Sequence, residues 1–165
     1  MIFTILKRMG WFVVLVLLQV LIFNHIYIFG YGTPLLYIYL ILKMPIKVPR
    51  NVVRLVGFLL GLTIDVFTNT LGLNATATVL LAFCQPYFLK MYAPRDVDEE
   101  LVPERDQIGN WSFLKYITWC VCVHHSTLLM LEYFTYVGIF QILLRIIVCI
   151  LLTISLIWAV DKLVD

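Results

Sequence analysis

The sequence predicts an all-α membrane protein, a polytopic bundle of six transmembrane helices in one domain, residues 1–165. Hydrophobic residues make up 62% of the chain and charged residues only 13%, whereas soluble domains are typically ~25% charged. The long apolar runs lack the two-residue alternation of a barrel strand. Helices are therefore the form in which this backbone can satisfy its hydrogen bonds inside lipid.

Basic residues mark alternate connections between the apolar runs. They are Lys7, Arg8, Lys43, Lys47, Arg50, Arg54, Lys90, Arg95, Arg105, Lys115 and Lys162. The three intervening connections, near residues 24–33, 69–72 and 135–138, contain no Lys or Arg. Because basic loops are retained in the cytoplasm, this alternation predicts an even number of spans with both termini cytoplasmic.

The first three spans are predicted over residues 11–29, 31–44 and 52–67. The first run is longer than a signal peptide requires and lacks a small-residue cleavage site, so we expect a retained helix. The second is short against the ~20 residues that normally cross a bilayer. It is nevertheless required, because without it the basic residues that follow would lie on the outer side.

The last three spans are predicted over residues 71–91, 113–134 and 139–160. Residues 94–110 separate the fourth from the fifth span and hold six of the ten acidic residues. Their composition predicts a solvated cytoplasmic loop, which is either a flexible linker or a docking site for a soluble partner. Tyr and Trp residues, Tyr116 among them, cluster near the predicted interfaces as in an aromatic belt.

One face of the third span combines small residues with an acid. Gly57, Gly61 and Asp65 are spaced four apart, and small residues at this spacing let a second helix approach closely. An acid in a spanning helix is costly unless it is paired or lies near the interface. Asp65 is therefore either an interhelical polar contact or a solvated interface acid. With Asn69 and Gly72 in the turn that follows, this face is a candidate for helix packing or partner binding.

Four ionisable residues lie in the fifth and sixth spans. His124 and His125 fall in the middle of the fifth, and Glu132 follows His125 at i+7 on the same face. These groups suit either a proton relay or neutral histidines hydrogen-bonded to nearby groups. Arg145 lies across a short turn from Glu132, and its long side chain can reach toward the interface. We expect Glu132 and Arg145 to pair.

The sequence contains no recognisable catalytic or cofactor motif. A P-loop, H-E-x-x-H and G-x-S-x-G are all missing. The four cysteines fall inside apolar runs, as small buried hydrophobes do. Basic residues are too few and too scattered for nucleic-acid binding. The expected protein is therefore not an enzyme, holds no cofactor or metal, and contacts the lipid bilayer and other proteins.

Residues 61–75, which read G-L-T-I-D-V-F-T-N-T-L-G-L-N-A, resemble the hallmark of the bacterial rod shape-determining protein MreD family. In that family G-L-x-x-D is followed by a short polar turn and then by L-G-x-x-A. The overall layout is similar too, with a short basic amino terminus, five or six spans and a late helix containing His and Glu. Residues 67–70, the polar turn of this motif, lack the glycine or proline that often occurs there.

The resemblance implies a non-catalytic inner-membrane scaffold of the cell-wall elongation machinery, or elongasome, which maintains cell shape during peptidoglycan synthesis. The implied partners are MreC, MreB, RodA and a class B transpeptidase. The resemblance also implies a helical bundle similar to the substrate-binding subunits of energy-coupling-factor transporters. Such a subunit, binding a vitamin-type small molecule, is the alternative function. The short, nearly uncharged outer connections argue against a charged ligand.

Overall fold

The computed structural model describes residues 2–26, 32–94, 101–133 and 139–164. The all-α class is confirmed, since these residues form helices and contain no β-strand. The helices are α1 (Ile2–Leu21), α2 (Tyr39–Leu42), α3 (Arg50–Thr68), α4 (Leu73–Tyr92), α5 (Arg105–Ile108), α6 (Asn110–Tyr133) and α7 (Ile139–Val164). Two 3-10 turns, Phe23–His25 and Leu36–Ile38, lie between α1 and α2.

Within the described ranges, three helical stretches are long and apolar enough to cross a membrane: Arg8–His25, Arg50–Thr68 and Phe140–Leu163. The helices α4 and α6 have 20 and 24 residues, so each is about 30 Å or more in length at ~1.5 Å per residue. Both helices contain polar residues that are buried inside the bundle. These residues are Asn74, Thr78, Gln85, His124 and His125. By length and composition, the chain has the helices of a membrane protein.

The long helices follow the predicted spans except at the amino terminus. α3, α4, α6 and α7 begin and end within a few residues of the predicted boundaries. α1 already begins at Ile2, so Lys7 and Arg8 lie within the helix rather than before it. The end of the predicted first span, residues 27–29, lies outside the described residues.

The second predicted span, residues 31–44, is not a continuous helix. We call its described part, residues 32–44, the core segment. It is helical only over Leu36–Ile38 and Tyr39–Leu42, and every residue of these two stretches is buried. Pro34 explains the late start, because proline has no N–H and disfavours a helical conformation at the residue before it.

The other helices surround the core segment. α4 lies between α3 and α6 and contacts both, while α7 packs on α6. The core segment contacts α1, α3, α4 and α7. Its residues Tyr37, Ile38 and Ile41 are completely buried, and they join one apolar core with Leu15, Leu60, Leu81, Phe113 and Ile157.

The connection over residues 94–110, which we call the acidic connection, packs on the bundle over its described part, residues 101–109. Leu101 and Ile108 are buried, and the Ile46 N–H donates to the Leu101 carbonyl at 3.3 Å. The expectation of a solvated loop over residues 94–110 is therefore wrong for this part. The apolar side chains Leu101 and Ile108 hold it against the core. Residues 95–100, with most of the acidic run, lie outside the described residues.

Candidate functional site

Helices α3 and α4 form a hairpin with almost no space between their backbones. A Cβ added to Gly61 would lie 2.5 Å from Ala75 Cα and from the Asn74 carbonyl oxygen. A Cβ added to Gly57 would lie 3.0 Å from the Thr78 carbonyl oxygen. The face predicted for helix packing or partner binding is thus occupied by α4 of the same chain.

Asp65 caps the amino-terminal end of α4 from the neighbouring helix. Its side chain is only 2% exposed. Oδ2 accepts the Ala75 N–H at 2.8 Å, and Oδ1 accepts the Asn74 N–H at 3.0 Å. The Asn74 Nδ2 and Thr70 Oγ1 groups also donate to Oδ1. The first N–H groups of a helix have no partner within it, and this end attracts negative charge. Asp65 is thus an interhelical polar contact.

The turn between α3 and α4 requires its Asn and Gly. Asn69 ends α3 with φ 55°, and Gly72 precedes α4 with φ 74°. Both values lie in the left-handed region, which glycine adopts freely and asparagine tolerates. The Thr70 N–H donates to the Asp65 carbonyl at 3.0 Å. Asp65 therefore orders this turn through its backbone as well as through its carboxylate.

A chain of hydrogen bonds runs from Asp65 into the centre of the bundle. Asn74 donates to Asp65 through Nδ2 and accepts the Tyr37 hydroxyl proton on Oδ1 at 2.9 Å. The Tyr37 oxygen lies 3.0 Å from His124 Nε2. Since the single hydroxyl proton is used on Asn74, His124 must donate through Nε2–H. The other ring nitrogen of His124, Nδ1, is buried without a hydrogen-bond partner among the described residues.

His125 belongs to a second chain that reaches α7. The Leu35 N–H donates to Thr153 Oγ1 at 3.1 Å, and Thr153 Oγ1 lies 3.0 Å from His125 Nε2. His125 Nδ1 lies 3.0 Å from the Val121 carbonyl, an obligatory acceptor. His125 therefore carries its proton on Nδ1 and accepts from Thr153. Both histidines are thus hydrogen-bonded to neighbouring elements of the bundle.

Side chains from three helices satisfy the backbone at both ends of the core segment. Gln19 donates to the Pro34 carbonyl at 3.1 Å and accepts the Leu36 N–H at 2.8 Å. At the other end, the Tyr116 hydroxyl donates to the Leu42 carbonyl at 2.8 Å. Gln85 donates to the Met44 carbonyl at 3.3 Å. Irregular backbone at membrane depth is tolerated only when protein buries and satisfies it, and these side chains meet that condition.

A polar cavity of about 450 Å³ opens at the end of the bundle where α3 meets α4. We call this the cavity end. Its polar lining residues are Asn24, His25, Thr33, Thr68, Thr70, Asn74 and Glu132. Among the described lining residues there is no Lys or Arg. Glu132 lines this cavity, and its expected pairing with Arg145 stays a prediction.

The opposite end is held by a buried ion cluster around Asp161, which we call the ion-cluster end. Asp161 is completely buried. Lys43 Nζ lies 2.5 Å from its Oδ1, and Arg105 Nε lies 3.0 Å from its Oδ2. The Tyr39 hydroxyl donates to Oδ1 at 3.1 Å. The cluster joins the core segment, the acidic connection and α7.

The core segment passes from one end of the bundle to the other. Thr33 lines the cavity, and Lys43 binds Asp161 in the ion cluster. The segment therefore links the two ends, whereas its crossing of a membrane as the second span stays a prediction.

Sequence reasoning missed several residues of these networks. Gln19, Gln85 and Thr153 are buried polar side chains, and a polar residue inside an apolar run was the available signal for each. Asp161 follows the last predicted span, where an acidic side chain is expected to contact water. Tyr116, expected in the aromatic belt, is completely buried instead, because its hydroxyl bonds the core segment.

The fold and these networks define a class: a helical membrane protein whose core is an irregular segment bonded at both ends. Comparison with protein-family models, with curated proteins and with solved structures gave no match.

Proposed function

We propose that this protein is a non-catalytic scaffold of the bacterial cell-wall elongation machinery, set in the inner membrane beside MreC. MreB, RodA and a class B transpeptidase would complete the assembly. The observation that carries the proposal is the hairpin over residues 61–75, where the sequence resembles the MreD family. Gly61, Asp65, Gly72 and Ala75 all act in one rigid unit. A fixed hairpin of this kind suits a scaffold, whose task is to hold partners in place.

The proposed topology has six traverses, with the ion-cluster end in the cytoplasm. In this proposal, five long helices of the described chain and the core segment would each cross the membrane. Lys43 and Arg105 lie at the ion-cluster end, and the hairpin without basic residues lies at the cavity end. Retention of basic residues on the cytoplasmic side supports this orientation.

The proposed partner surface is the outer face of α3. Leu55, Phe58, Leu59, Leu62 and Val66 are all exposed, and their three- and four-residue spacing places them on one side of the helix. Gly57, Gly61 and Asp65 face the other way, onto α4. A partner helix can therefore bind α3 without disturbing the hairpin.

Depletion in the native bacterium, combined with crosslinking, tests the proposal. Loss of the protein should round rod-shaped cells, and a photocrosslinking amino acid at Phe58 should capture a wall-synthesis protein. A crosslinker at Met91, exposed on α4, provides the comparison position. Normal cell shape after depletion, with lipid as the sole crosslinked species at Phe58, would contradict the scaffold.

The cavity favours a second candidate, a solute-binding subunit of a vitamin-type transporter. Its volume of about 450 Å³ falls within the range of small-molecule sites. Hydroxyl and amide groups line it together with Glu132, and no Lys or Arg is present among its described lining residues. It therefore suits a neutral or cationic hydrogen-bonding molecule better than an anion.

Thermal-shift screening of the purified protein separates the two candidates. A solute-binding subunit should be stabilised by a neutral polar solute, and Glu132→Gln or Asn24→Ala should weaken that effect. The scaffold predicts no such ligand, and it predicts co-purification of wall-synthesis proteins from native membranes.

A further inference from the structure

A lateral groove opens between α1 and α3 near the ion-cluster end. Its volume is about 510 Å³. Among the residues that the structure describes, the lining is apolar apart from Arg8 and consists otherwise of Met9, Phe12, Val13, Leu40, Met44, Val48, Val52 and Val56. Met9, Val13 and Val52 are 61%, 54% and 44% exposed, so the groove faces the surroundings of the bundle. It combines a hydrocarbon channel with a cation.

Arg8 has a weak partner within the described part of the protein. Its Nη1 lies 3.5 Å from the Met44 sulfur, and a thioether is a poor hydrogen-bond acceptor. A guanidinium has five N–H donors in a planar fork that matches phosphate oxygens. The groove therefore presents a cation with unused capacity to donate hydrogen bonds.

The sequence around the groove carries positive charge alone. The chain has no Asp or Glu before Asp65, so α1, the core segment and most of α3 contain no carboxylate. Over the same residues it has six basic side chains, Lys7, Arg8, Lys43, Lys47, Arg50 and Arg54. Lys43 is already paired with Asp161, so the other five contribute to the attraction of an anion. Juxtamembrane basic residues attract anionic lipids by ~1 kcal/mol each. The local field therefore favours an anion at the mouth of the groove.

We propose that the groove binds an anionic glycerophospholipid from the leaflet at the ion-cluster end. Its phosphate oxygens accept hydrogen bonds from Arg8, and one acyl chain lies along Phe12, Val13, Val52 and Val56. The argument is charge complementarity: a single molecule supplies both the phosphate for Arg8 and the hydrocarbon for the apolar channel. The proposal does not depend on the scaffold function, because it concerns a different surface.

Quenching of Trp11 by brominated lipids tests the proposal on the full chain in bilayers. Trp11 lies three residues after Arg8 on α1, so a bromine on a bound acyl chain should quench it. The assay uses a protein with Trp111→Phe, Trp119→Phe and Trp158→Phe, in which Trp11 is the remaining source of tryptophan fluorescence. Brominated phosphatidylglycerol should quench more strongly than brominated phosphatidylcholine at equal mole fraction. Equal quenching by the two lipids would overturn the proposal.

Arg8→Gln isolates the contribution of the charge. The preference for phosphatidylglycerol should fall about fivefold, the ratio that corresponds to ~1 kcal/mol per basic residue. Lys162→Gln is the matched control, since Lys162 is an exposed cation on α7 and does not line the groove. An unchanged preference in Arg8→Gln, or an equal loss in Lys162→Gln, would contradict a site at Arg8.

Val52→Phe tests the acyl-chain part of the site by filling the groove. It should weaken quenching by both lipids, and native mass spectrometry should show less co-purified phosphatidylglycerol than for the parent protein. Unchanged binding would exclude an acyl chain from this channel. If neither lipid quenches Trp11 in the parent protein, another occupant such as a partner helix or a second copy covers the groove, and the lipid proposal is wrong.

Discussion

The carboxylate of Asp65 on α3 accepts the backbone N–H of Ala75 on α4 at 2.8 Å. The acid of one helix thereby completes the first turn of the next. The same carboxylate accepts the side-chain amide of Asn74, which in turn accepts from Tyr37 of the core segment. One residue therefore connects the hairpin with the irregular segment at the centre of the bundle.

Asp65→Ala should destabilise the protein by about 3 kcal/mol, because hydrogen bonds to a charged group contribute about 1.5–3 kcal/mol and their donors would remain buried. The measurement is unfolding in mixed detergent micelles. Val66→Leu is the control, since Val66 is 73% exposed on α3 and should unfold like the parent. Equal stability of Asp65→Ala and the parent would show that the cap at α4 is unimportant.

Gly61→Ala should separate α3 from α4 and cost about 1–3 kcal/mol, the usual penalty for overpacking a core. The obstacle is the α4 backbone itself, at Ala75 Cα and the Asn74 carbonyl, so a side-chain adjustment cannot relieve it. Gly10→Ala is the matched control, because a Cβ there meets nothing within 4 Å. That control should be neutral or slightly stabilising, since alanine favours helix more than glycine does. Similar unfolding of the two variants would contradict close packing at Gly61.

Gln19→Leu should release the amino-terminal end of the core segment. It leaves the Leu36 N–H and the Pro34 carbonyl without their Gln19 partners, at about 1–3 kcal/mol for each buried group. Hydrogen–deuterium exchange should increase at Leu36 and its neighbours. Gln141→Leu, at an exposed position on α7, tests the same change of residue without these contacts. Equal exchange rates in both variants would argue against a role for Gln19.

Asp161→Asn should destabilise the ion-cluster end by about 3–5 kcal/mol, the usual effect of removing one partner from a buried ion pair. The side chains of Lys43 and Arg105 are only 15% and 13% exposed. Both cations would therefore stay largely removed from water without the carboxylate that compensates their charge. Limited proteolysis should then cut the acidic connection faster. Adding Lys43→Met should restore part of the lost stability. A double variant less stable than Asp161→Asn alone would oppose this account.

Impermeant maleimide labelling of intact cells should locate the two ends of the bundle. In a background without native cysteines, Leu71→Cys should react and Lys162→Cys should not. Leu71 is fully exposed in the hairpin turn, and Lys162 is exposed near the ion cluster. After permeabilisation both should react. Labelling of Lys162→Cys in intact cells would reverse the proposed orientation.

Much of the architecture was predictable because it depends on local sequence properties. Apolar runs of about 20 residues gave α3, α4, α6 and α7 near their observed limits. The four-residue spacing of Gly57, Gly61 and Asp65 identified a packing face, since residues at that spacing share one side of a helix. Periodicity cannot say which helix covers that face, and the covering helix is α4 of the same chain.

The sequence by itself determined the helical class and the presence of helices apolar enough to cross a membrane, because hydropathy acts on each segment separately. Only the tertiary structure decided that this segment is half irregular and is bonded by Gln19, Gln85 and Tyr116. Only the tertiary structure brought Asp161 to Lys43, 118 positions earlier in the chain. Polar groups in an apolar interior must find partners wherever the fold places them, and those partners come from helices that are distant in sequence.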